Sequence, residues 1–593
     1  MTERKEEAGH AKLTQTKKAT PGGVNDANLG DRDQPAAFPS SADTVSAAVV
    51  PRKLRYLIGF RAPPGTAPRS DDPFLQRLTE TGGVEVVRRI QRAQSATPQG
   101  GTASPDVLVA VMDESLGQAL RASAPAHVIV ERDLALSYSD MAVFDPFILQ
   151  HSMQAMQFSH RRGEFRFRVV GEGERPIPNA LVNLCGPGFP AHGLTDSSGG
   201  TNLQSYAGEG AGIVGVYVRP AADYWERYIQ GPSLDAAEVN VIRLTPLSRG
   251  TRSSGQHPYG WGRRMMKFDR VASDWDGAGI KIGLIDSGCD CSHAALRHIV
   301  RGVDLTRNRN AESWKSDELG QGTHCAGLIA AAGGPSADLI GCAPACEMHI
   351  FKVVPGGYCS DLIEALDQCI ERRLDIVQIG VGAEQYCELA AQKIAEARQR
   401  GIACIAPAGN SAAPVAFPGN VPTVLTVTAI GKLGEYPLDT RHAHRALPQL
   451  LAYSGIYATN FSGWGPQVGL CAPGVAVISS VPGGGYSAWD GTAMAAAHVV
   501  GFAALLLAHH PLLQNSQLGA RTEQRVALLL ELLRTAAVPA ANGDPALVGA
   551  GMPDLEQVPG LQRPGAPLSG QSTLAVLPGD PNLHRVSWAL VQG

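Results

Sequence analysis

The chain has 593 residues, more than one ordinary hydrophobic core accommodates, so several domains are expected. Its apolar content of 44% and charged content of 18% are typical of a globular protein that folds in water. The net charge of −4 is small and no block of Lys and Arg stands out, so the charge pattern does not indicate binding to nucleic acid or to an anionic membrane.

Three sequence features bear on the cellular compartment. The first residues contain no apolar run of the kind found in secretory signal peptides. The longest apolar run, 493–507, is short for a membrane span and contains His498, so we expect a buried core helix there. Ten cysteines lie between Cys289 and Cys471 without the density of a disulfide scaffold. We therefore expect a cytoplasmic protein with reduced thiols and no membrane contact.

The N-terminal part divides into a leader and a small domain. Residues 1–51 are polar and rich in Ala, Pro, Gly and Asp, which predicts a disordered leader. Residues 52–139 predict a small α+β domain with the order βαββαβ, and residues 140–162 a linker. The predicted elements of the small domain are strands at 54–60, 84–90, 106–112 and 127–138 and helices at 72–83 and 114–124.

The rest of the chain shows two further patterns. In residues 163–247, short alternating strands are separated by Gly, Pro, Asn and Asp, which predicts a β-sandwich with a tight turn at 193–199. In residues 256–558, short apolar strands alternate with helical stretches, which is typical of an α/β domain with a mainly parallel sheet. Residues 559–593 form a Pro- and Gly-rich C-terminal extension with room for a strand or two.

Asp286 ends the strand pattern KIGLIDSG, and the carboxyl ends of parallel strands are where α/β domains carry their function. Three further motifs follow it: GQGTHCAG at 320–327, APAGN ending at Asn410, and DGTAMAAAHVVG at 490–501. Together these motifs resemble those of the subtilisin family of serine peptidases, peptidase family S8. Asp286 matches the family's catalytic Asp, and GQGTHCAG at 320–327 matches the segment with the catalytic His. APAGN, which ends at Asn410, matches the oxyanion segment, and DGTAMAAAHVVG at 490–501 matches the nucleophile segment.

The resemblance implies a subtilisin-like three-layer sandwich with a mainly parallel sheet for residues 256–558. The small domain, 52–139, resembles the propeptide that precedes such peptidases as folding chaperone and tethered inhibitor. Residues 163–247 resemble a carboxypeptidase-regulatory-like β-sandwich. A domain at that position, between propeptide and peptidase, departs from the usual layout of the family.

Two catalytic positions also depart from the family. Gln321 stands where the resemblance expects the general-base His, and Ala493 stands where it expects the nucleophilic Ser. The reaction needs an oxygen nucleophile and a base that takes its proton, whereas Ala has no heteroatom and an amide is not basic near neutral pH. In subtilisin such losses cost roughly 10⁶-fold in turnover, and roughly 10³–10⁴ over water remains. The chain is therefore expected to be catalytically inactive as written.

The resemblance assigns the remaining site residues as well. Asn410 is the oxyanion donor, and Asp286 keeps the position that orients the base. Ala295 stands where the family often has a calcium-binding Asp, so we expect neither a structural metal nor a cofactor. The peptide groove is assigned to Gly380, Val381, Gly382, Ala408 and Gly409, and the first two of these replace the family's Ser and Leu.

Three local expectations follow from the chemistry of these side chains. A buried Asp286 without its imidazole partner would be costly, so we expect the Gln321 side-chain amide to donate to it. His324 matches the second His of the family motif, and a structural role is favoured for it. Cys289, Cys291 and His293 have the spacing of metal ligands, but packing of small apolar thiols is favoured.

Three functions remain open at this stage. The first, which the changes at Gly380 and Val381 favour, is an inactive peptidase that binds a peptide or partner protein through its groove, alone or beside an active homologue. The second is an endopeptidase that is active in its natural form and is inactivated in this sequence by the substitutions at Gln321 and Ala493. The third is a scaffold or interaction protein. Without self-cleavage, residues 52–139 are expected to stay attached and to occupy the groove.

Overall fold

The computed structural model describes most of the chain from residue 52 to residue 560. The described residues are Phe74, Leu78 and the stretches 52–61, 82–90, 106–138, 163–186, 190–205, 212–248, 260–306, 309–332, 339–452, 454–515, 520–541 and 543–560. The predicted leader 1–51, the linker 140–162 and nearly all of the extension 559–593 lie outside the described residues, and so does most of the helix expected at 72–83.

The small N-terminal domain contains one antiparallel sheet of order β2-β3-β1-β4. Phe74 and Leu78 are helical, and a turn at Gly82 and Gly83 precedes β2. The elements are β1 (Lys53–Phe60), β2 (Glu85–Ile90), β3 (Val107–Asp113), helix α1 (Glu114–Ser123) and β4 (Val128–Arg132).

The last strand of this domain ends earlier than expected. The sequence predicts a strand over 127–138, whereas β4 ends at Arg132. The strand-like sequence pattern continues through LALSY at 134–138, because this segment is extended too. Its backbone, however, pairs with residues of the α/β domain and not with β1. A single sequence does not distinguish these two kinds of pairing.

Residues 163–247, which we call the middle domain, form two sheets of order β10-β9-β6-β7 and β11-β5-β8. One hydrophobic cluster that includes Phe165, Val182 and Val218 lies within this domain. Asp196 accepts backbone hydrogen bonds from Ser198 and Gly200 in the turn between β7 and β8. The strands are β5 (Gly163–Val170), β6 (Leu181–Cys185), β7 (Ala191–Leu194), β8 (Gly200–Ser205), β9 (Gly215–Arg219), β10 (Arg227–Gln230) and β11 (Val239–Arg243).

A nine-stranded, mainly parallel sheet of order β13-β14-β12-β15-β16-β17-β19-β18, with β20 also paired to β17, organises the C-terminal domain. The α/β class expected from the sequence is confirmed. The strands are β12 (Lys281–Asp286), β13 (Arg301–Asp304), β14 (Glu347–Lys352), β15 (Ile376–Ile379), β16 (Ala403–Pro407), β17 (Leu425–Lys432), β18 (Ala446–Leu451), β19 (Ile456–Thr459) and β20 (Val468–Pro473). Smaller ladders pair β21 (Val477–Ser480) with β22 (Tyr486–Trp489) and β23 (Ala537–Val538) with β24 (Met552–Pro553).

Helices pack into two separate cores with this sheet. The helices are α2 (Trp261–Met265), α3 (Gln321–Ala330), α4 (Cys359–Glu371), α5 (Glu388–Gln399), α6 (Thr492–His509), α7 (Pro511–Gln514), α8 (Glu523–Thr535) and α9 (Pro545–Val548). Helices α3 and α6 share one core with Ile282 and Leu284 of β12. Helices α4 and α5 share the other core with Ile285 of the same strand. This alternation is what a strand buried on both faces produces.

Helix α6 is the apolar run noted in the sequence. It is long and apolar enough to cross a membrane, but most of it is buried inside the protein, as expected for a core helix. The sheet of the small N-terminal domain packs on the other core, the one that α4 and α5 form, and contributes Leu57, Val109 and Ile129 to it. The sheet of the small domain is therefore packed against the helices α4 and α5 of the C-terminal domain.

Candidate functional site

Asp286, the last residue of β12, has a completely buried side chain. Its Oδ1 accepts a hydrogen bond from the backbone N–H of Ser287 at 2.8 Å. Burial raises the pKa of this carboxyl from 3.8 to about 7, although the hydrogen bond from Gln321 opposes that rise. The nearby charge of Asp317 raises the pKa further. Close to neutral pH this group is thus divided between its acid and carboxylate forms.

Gln321 is the first residue of α3, and the helix begins after Gly320, whose φ of 81° suits glycine. Its side-chain Nε2 donates to both carboxyl oxygens of Asp286, at 3.1 and 3.0 Å. The same amide nitrogen lies 2.9 Å from the carbonyl oxygen of Gly380. The expected hydrogen bond between Gln321 and Asp286 is confirmed, and the amide also connects α3 to the end of β15.

Ala493 lies in the first turn of α6, and its side chain is a methyl group that is 6% exposed. Its carbonyl oxygen accepts a hydrogen bond from Nε2 of Gln378 at 3.1 Å and a longer one from Sγ of Cys325 at 3.7 Å. Cys325 is one turn beyond Gln321 on α3, and Gln378 is two residues before Gly380. These two contacts join Ala493 to the group formed by Asp286, Gln321 and Gly380.

Asn410 is fixed beside the start of α6. Its Oδ1 accepts hydrogen bonds from the backbone N–H of Thr492 at 3.0 Å and from the Thr492 hydroxyl at 2.8 Å. Gly409 donates its backbone N–H to the same hydroxyl at 3.2 Å. Within the part of the chain that the structure describes, Asn410 Nδ2 has no acceptor, so it remains available to an oxyanion.

The second histidine of the GQGTHCAG motif has a packing role. His324 is completely buried, its ring stacks on Trp489 at a centroid distance of 4.8 Å, and its Nε2 lies 3.2 Å from the carbonyl oxygen of Ser487. Burial lowers its pKa to about 3, so the ring is neutral at physiological pH. The geometry agrees with the structural role expected from the sequence.

Residues 134–138, which we call the groove segment, follow β4 and lie between two parts of the α/β domain. Ser137 exchanges two backbone hydrogen bonds of 2.9 Å with Gly382 in antiparallel register. On the other side, Leu136 N–H donates to Gly357 O, and Cys359 N–H donates to Leu134 O, both at 2.8 Å. The segment is thus the middle strand of a short three-stranded ladder that leads towards Gln321.

Two carboxylates at the end of β4 fix the start of this segment. Glu131 accepts backbone hydrogen bonds from Glu388 and Leu389, both at 2.8 Å, at the start of α5. Asp133 accepts one from the backbone N–H of Ser360 at 2.9 Å and one from its hydroxyl at 2.9 Å, at the start of α4. Each carboxylate therefore caps a helix of the neighbouring domain, where orphan N–H groups and the helix dipole favour negative charge.

The other assigned groove residues differ in what they contribute. Gly382 provides backbone pairing, whereas Val381 is buried in the core shared by α4 and α5. Ala408 packs in a small apolar cluster with Val415 and Val468. Sequence reasoning missed Gln378, Gly357 and the two capping carboxylates, because nothing in their local sequence marks contacts that are distant along the chain.

The run of Cys289, Cys291 and His293 does not form a metal site. His293 uses both ring nitrogens within the protein: Nε2 lies 2.9 Å from Gly485 O, and Nδ1 accepts from the backbone N–H of Ala295 at 3.2 Å. Among the described residues, no group of three or more His, Cys, Asp or Glu side chains is arranged to hold a metal ion. No disulfide joins the ten cysteines from Cys289 to Cys471, all of which are described.

Comparison with known proteins identifies the family of the C-terminal domain. The model for the subtilase family of S8 peptidases matches residues 277–551. The chain is 30% identical to subtilisin DY of Bacillus licheniformis over 266 residues, which are 43% of this chain and 87% of that protein. It is also 30% identical to the subtilisin of Bacillus pumilus over 263 residues, 86% of that protein. The matched region covers 62% of subtilisin E of Bacillus subtilis (strain 168), to which the chain is 30% identical.

The chain therefore belongs to the subtilase family. Its C-terminal domain is a subtilisin-like peptidase domain, and we call it the peptidase domain below.

Proposed function

We propose that the chain is a subtilase that does not turn over peptides and that binds an extended peptide or a partner protein through its groove. The observation that carries this proposal is the Gln321 amide, which donates to Asp286 and to Gly380 O. The general base would also donate to Asp286, but it would need a second, basic atom for the nucleophile's proton, and the amide of Gln321 is not basic near neutral pH. No oxygen nucleophile is supplied by the methyl group of Ala493.

The groove segment supports a second part of the proposal, that residues 52–139 act as a propeptide-like inhibitor in cis. Both sides of the segment are hydrogen-bonded to the peptidase domain, and Glu131 and Asp133 cap α5 and α4. An outside peptide or partner must displace this segment before it binds. Its apparent Kd is then the intrinsic Kd divided by the fraction of molecules in which the segment has left the groove.

A second candidate is an active endopeptidase that carries inactivating substitutions at two positions. The contacts of Asn410 with Thr492 favour it, because they leave an amide donor free beside Ala493. The hydrogen bonds between Gln378 and Ala493 and between Gln321 and Gly380 also keep the surrounding backbone together. In this case, restoring the two side chains would restore turnover.

The test compares the parent chain with Gln321→His, Ala493→Ser and the double variant. Self-cleavage is followed by gel electrophoresis and hydrolysis of unstructured casein by released peptides. The proposal expects no cleavage by the parent or by either single variant. Parent cleavage that disappears in Asp286→Asn would overturn it. Cleavage by the double variant alone would favour the trapped endopeptidase, and an inert double variant would favour a groove used for binding.

A further inference from the structure

The segment 222–228 of the middle domain, which includes the start of β10, contacts two separate segments of the peptidase domain. Asp223 N–H donates to Tyr486 O at 2.6 Å, and its carboxylate accepts from Tyr486 N–H at 3.0 Å. Tyr228 N–H donates to Asp439 O at 2.7 Å. The first contact reaches the hairpin β21–β22 and the second reaches the loop 439–445. These two segments are themselves connected through a buried carboxylate.

Between these contacts, Glu226 is buried with only 6% of its surface exposed. Its Oε1 accepts the backbone N–H of Arg441 at 2.9 Å, and its Oε2 lies 3.5 Å from the guanidinium of the same residue. The hydroxyl of Tyr217 donates to Oε2. A buried carboxylate is tolerated only when it is paired and hydrogen-bonded in this way, and removal of one partner leaves the other charge uncompensated.

On the peptidase side, Asp490 is the matching buried acid. Its Oδ1 lies 2.6 Å from Nδ1 of His442 and accepts the backbone N–H of Ala476 at 2.8 Å, while its Oδ2 accepts from Nε of Arg445 at 3.0 Å. The pKa of Asp490 is lowered far below its ordinary value by His442 and Arg445, although burial opposes this. Asp490 is therefore an ionised carboxylate held in place from three directions.

His442 connects the two acids. Its Nε2 is buried and lies 3.7 Å from Glu226 Oε1. A neutral ring would direct a bare lone pair at that carboxylate, whereas an imidazolium directs an N–H at it. Burial lowers the pKa of His442, but the charges of Asp490 and Glu226 raise it more, so the net direction is upwards. The titratable and charged groups around the ring are Glu226, Tyr436, Arg441, Arg445 and Asp490.

Asp490 directly precedes Gly491, Thr492 and Ala493, and Gly491 N–H donates to Gly474 O at 2.8 Å. Asp490 is therefore two residues from the first turn of α6, and the intervening Gly491 is held by a backbone hydrogen bond. We infer that Glu226 is a positioning residue: it links the middle domain to Asp490 and so fixes the backbone that leads into Ala493. The middle domain is then an integral support of the site and not an independent binding module.

The test uses ¹⁹F NMR of the full chain labelled with 5-fluorotryptophan. Two of the seven tryptophans report on the two sides of the cluster, and each is assigned by Trp→Phe substitution. The rings of Trp225 and His442 are packed nearly perpendicular with their centroids 6.0 Å apart, and Trp489 immediately precedes Asp490. Glu226→Gln removes the charge with little change of shape. Glu174→Gln is the matched control, because this carboxylate is exposed and pairs with Arg243 of the same domain.

We expect Glu226→Gln to shift both resonances and Glu174→Gln to shift neither. In a pH titration of the parent, the chemical shifts of both resonances should change with the same midpoint pH. Glu226→Gln should lower this midpoint pH, because a negative charge near His442 is lost. Asp490→Asn gives the reverse test, since coupling is reciprocal, and it should shift Trp225. The inference would be overturned if Glu226→Gln shifted the Trp225 resonance but left the Trp489 resonance and its pH titration unchanged. It would also be overturned if Asp490→Asn left the Trp225 resonance unchanged. The readout is independent of catalysis.

Discussion

At the scale of single residues, the site shows what a change of one side chain does to a neighbouring acid. Asp286 keeps its position at the end of β12, but its partner is now an amide that carries no charge. A neutral donor offsets part of the cost of burial and leaves the carboxyl with a pKa of about 7. The protonation state of Asp286 is therefore coupled to folding.

We predict that Asp286 makes the folded state less stable as pH rises from about 4 to about 7. The folded state keeps a proton there that the unfolded state, with a pKa near 3.8, has already lost. Its contribution is complete below pH 4 and is lost as pH passes through the folded pKa, a difference of roughly 4 kcal/mol. Asp286→Asn, which does not titrate, should lose less free energy of unfolding than the parent between pH 5 and pH 8 in urea titrations.

Asp274→Asn is the control for this experiment, because Asp274 is exposed. Its pH dependence should follow the parent. If Asp286→Asn also followed the parent, Asp286 would be ionised in the folded state across the whole range.

Much of the site could be predicted at this scale. The motifs identify Gln321 and Ala493, and the cost of an unpaired buried acid predicts the hydrogen bond from Gln321 to Asp286. The contact of Gln378 with Ala493 could not be predicted, because only the fold brings these two residues together.

At the scale of elements, helices α4 and α5 each begin against a carboxylate from β4. The sequence predicts helical stretches in this part of the chain, and it predicts a last strand over 127–138, six residues longer than β4 at its C-terminal end, because the strand-like pattern resumes after Asp133. Asp133 marks the change of partner, since its oxygens bind Ser360 of α4. Which backbone the extended segment pairs with depends on packing between domains. The local hydrophobic periodicity of the sequence does not predict that pairing.

We predict that Glu131→Gln combined with Asp133→Asn weakens the attachment of the groove segment. Loss of the two charges at helix N-termini should cost about 1–2 kcal/mol in total. A fluorescent peptide with the sequence LALSYSD should then bind roughly 5–30-fold more tightly, because it competes with a less firmly held segment. Fluorescence anisotropy measures this change. Glu114→Gln, an exposed carboxylate 3.9 Å from Arg132, is the control and should leave binding as in the parent. Equal affinity in all three proteins would mean that the segment does not block the groove.

At the scale of the whole molecule, two additional domains contact the peptidase domain close to its site. The small domain places the groove segment against Gly382, and the middle domain reaches Asp490 through Arg441 and His442. The sequence predicted the three folding units and their order along the chain. It did not predict the buried charges between them, because Glu226 and His442 are more than 200 residues apart and each resembles an ordinary surface residue in its own segment.

The register of the groove segment predicts where a restored enzyme would cut. Ser137 pairs with Gly382, and counting two residues along each strand leads from Ser137 to residue 139 and from Gly382 to Gly380, which binds Gln321. We therefore expect the variant with Gln321→His and Ala493→Ser, if it regains turnover, to cut itself between residues 139 and 140, as measured by intact mass spectrometry.

Adding Ser137→Pro to this double variant removes the N–H that donates to Gly382 and should abolish the cut at 139–140, while casein hydrolysis persists because the catalytic groups are unchanged. Ser137→Ala keeps the backbone bonds and should cut as before. Self-cleavage at a bond elsewhere in 140–162, insensitive to Ser137→Pro, would mean that the hydrogen-bonded segment is not the strand presented to the catalytic groups. The inhibitory role proposed for residues 52–139 would then have to rest on their contacts with α4 and α5 alone.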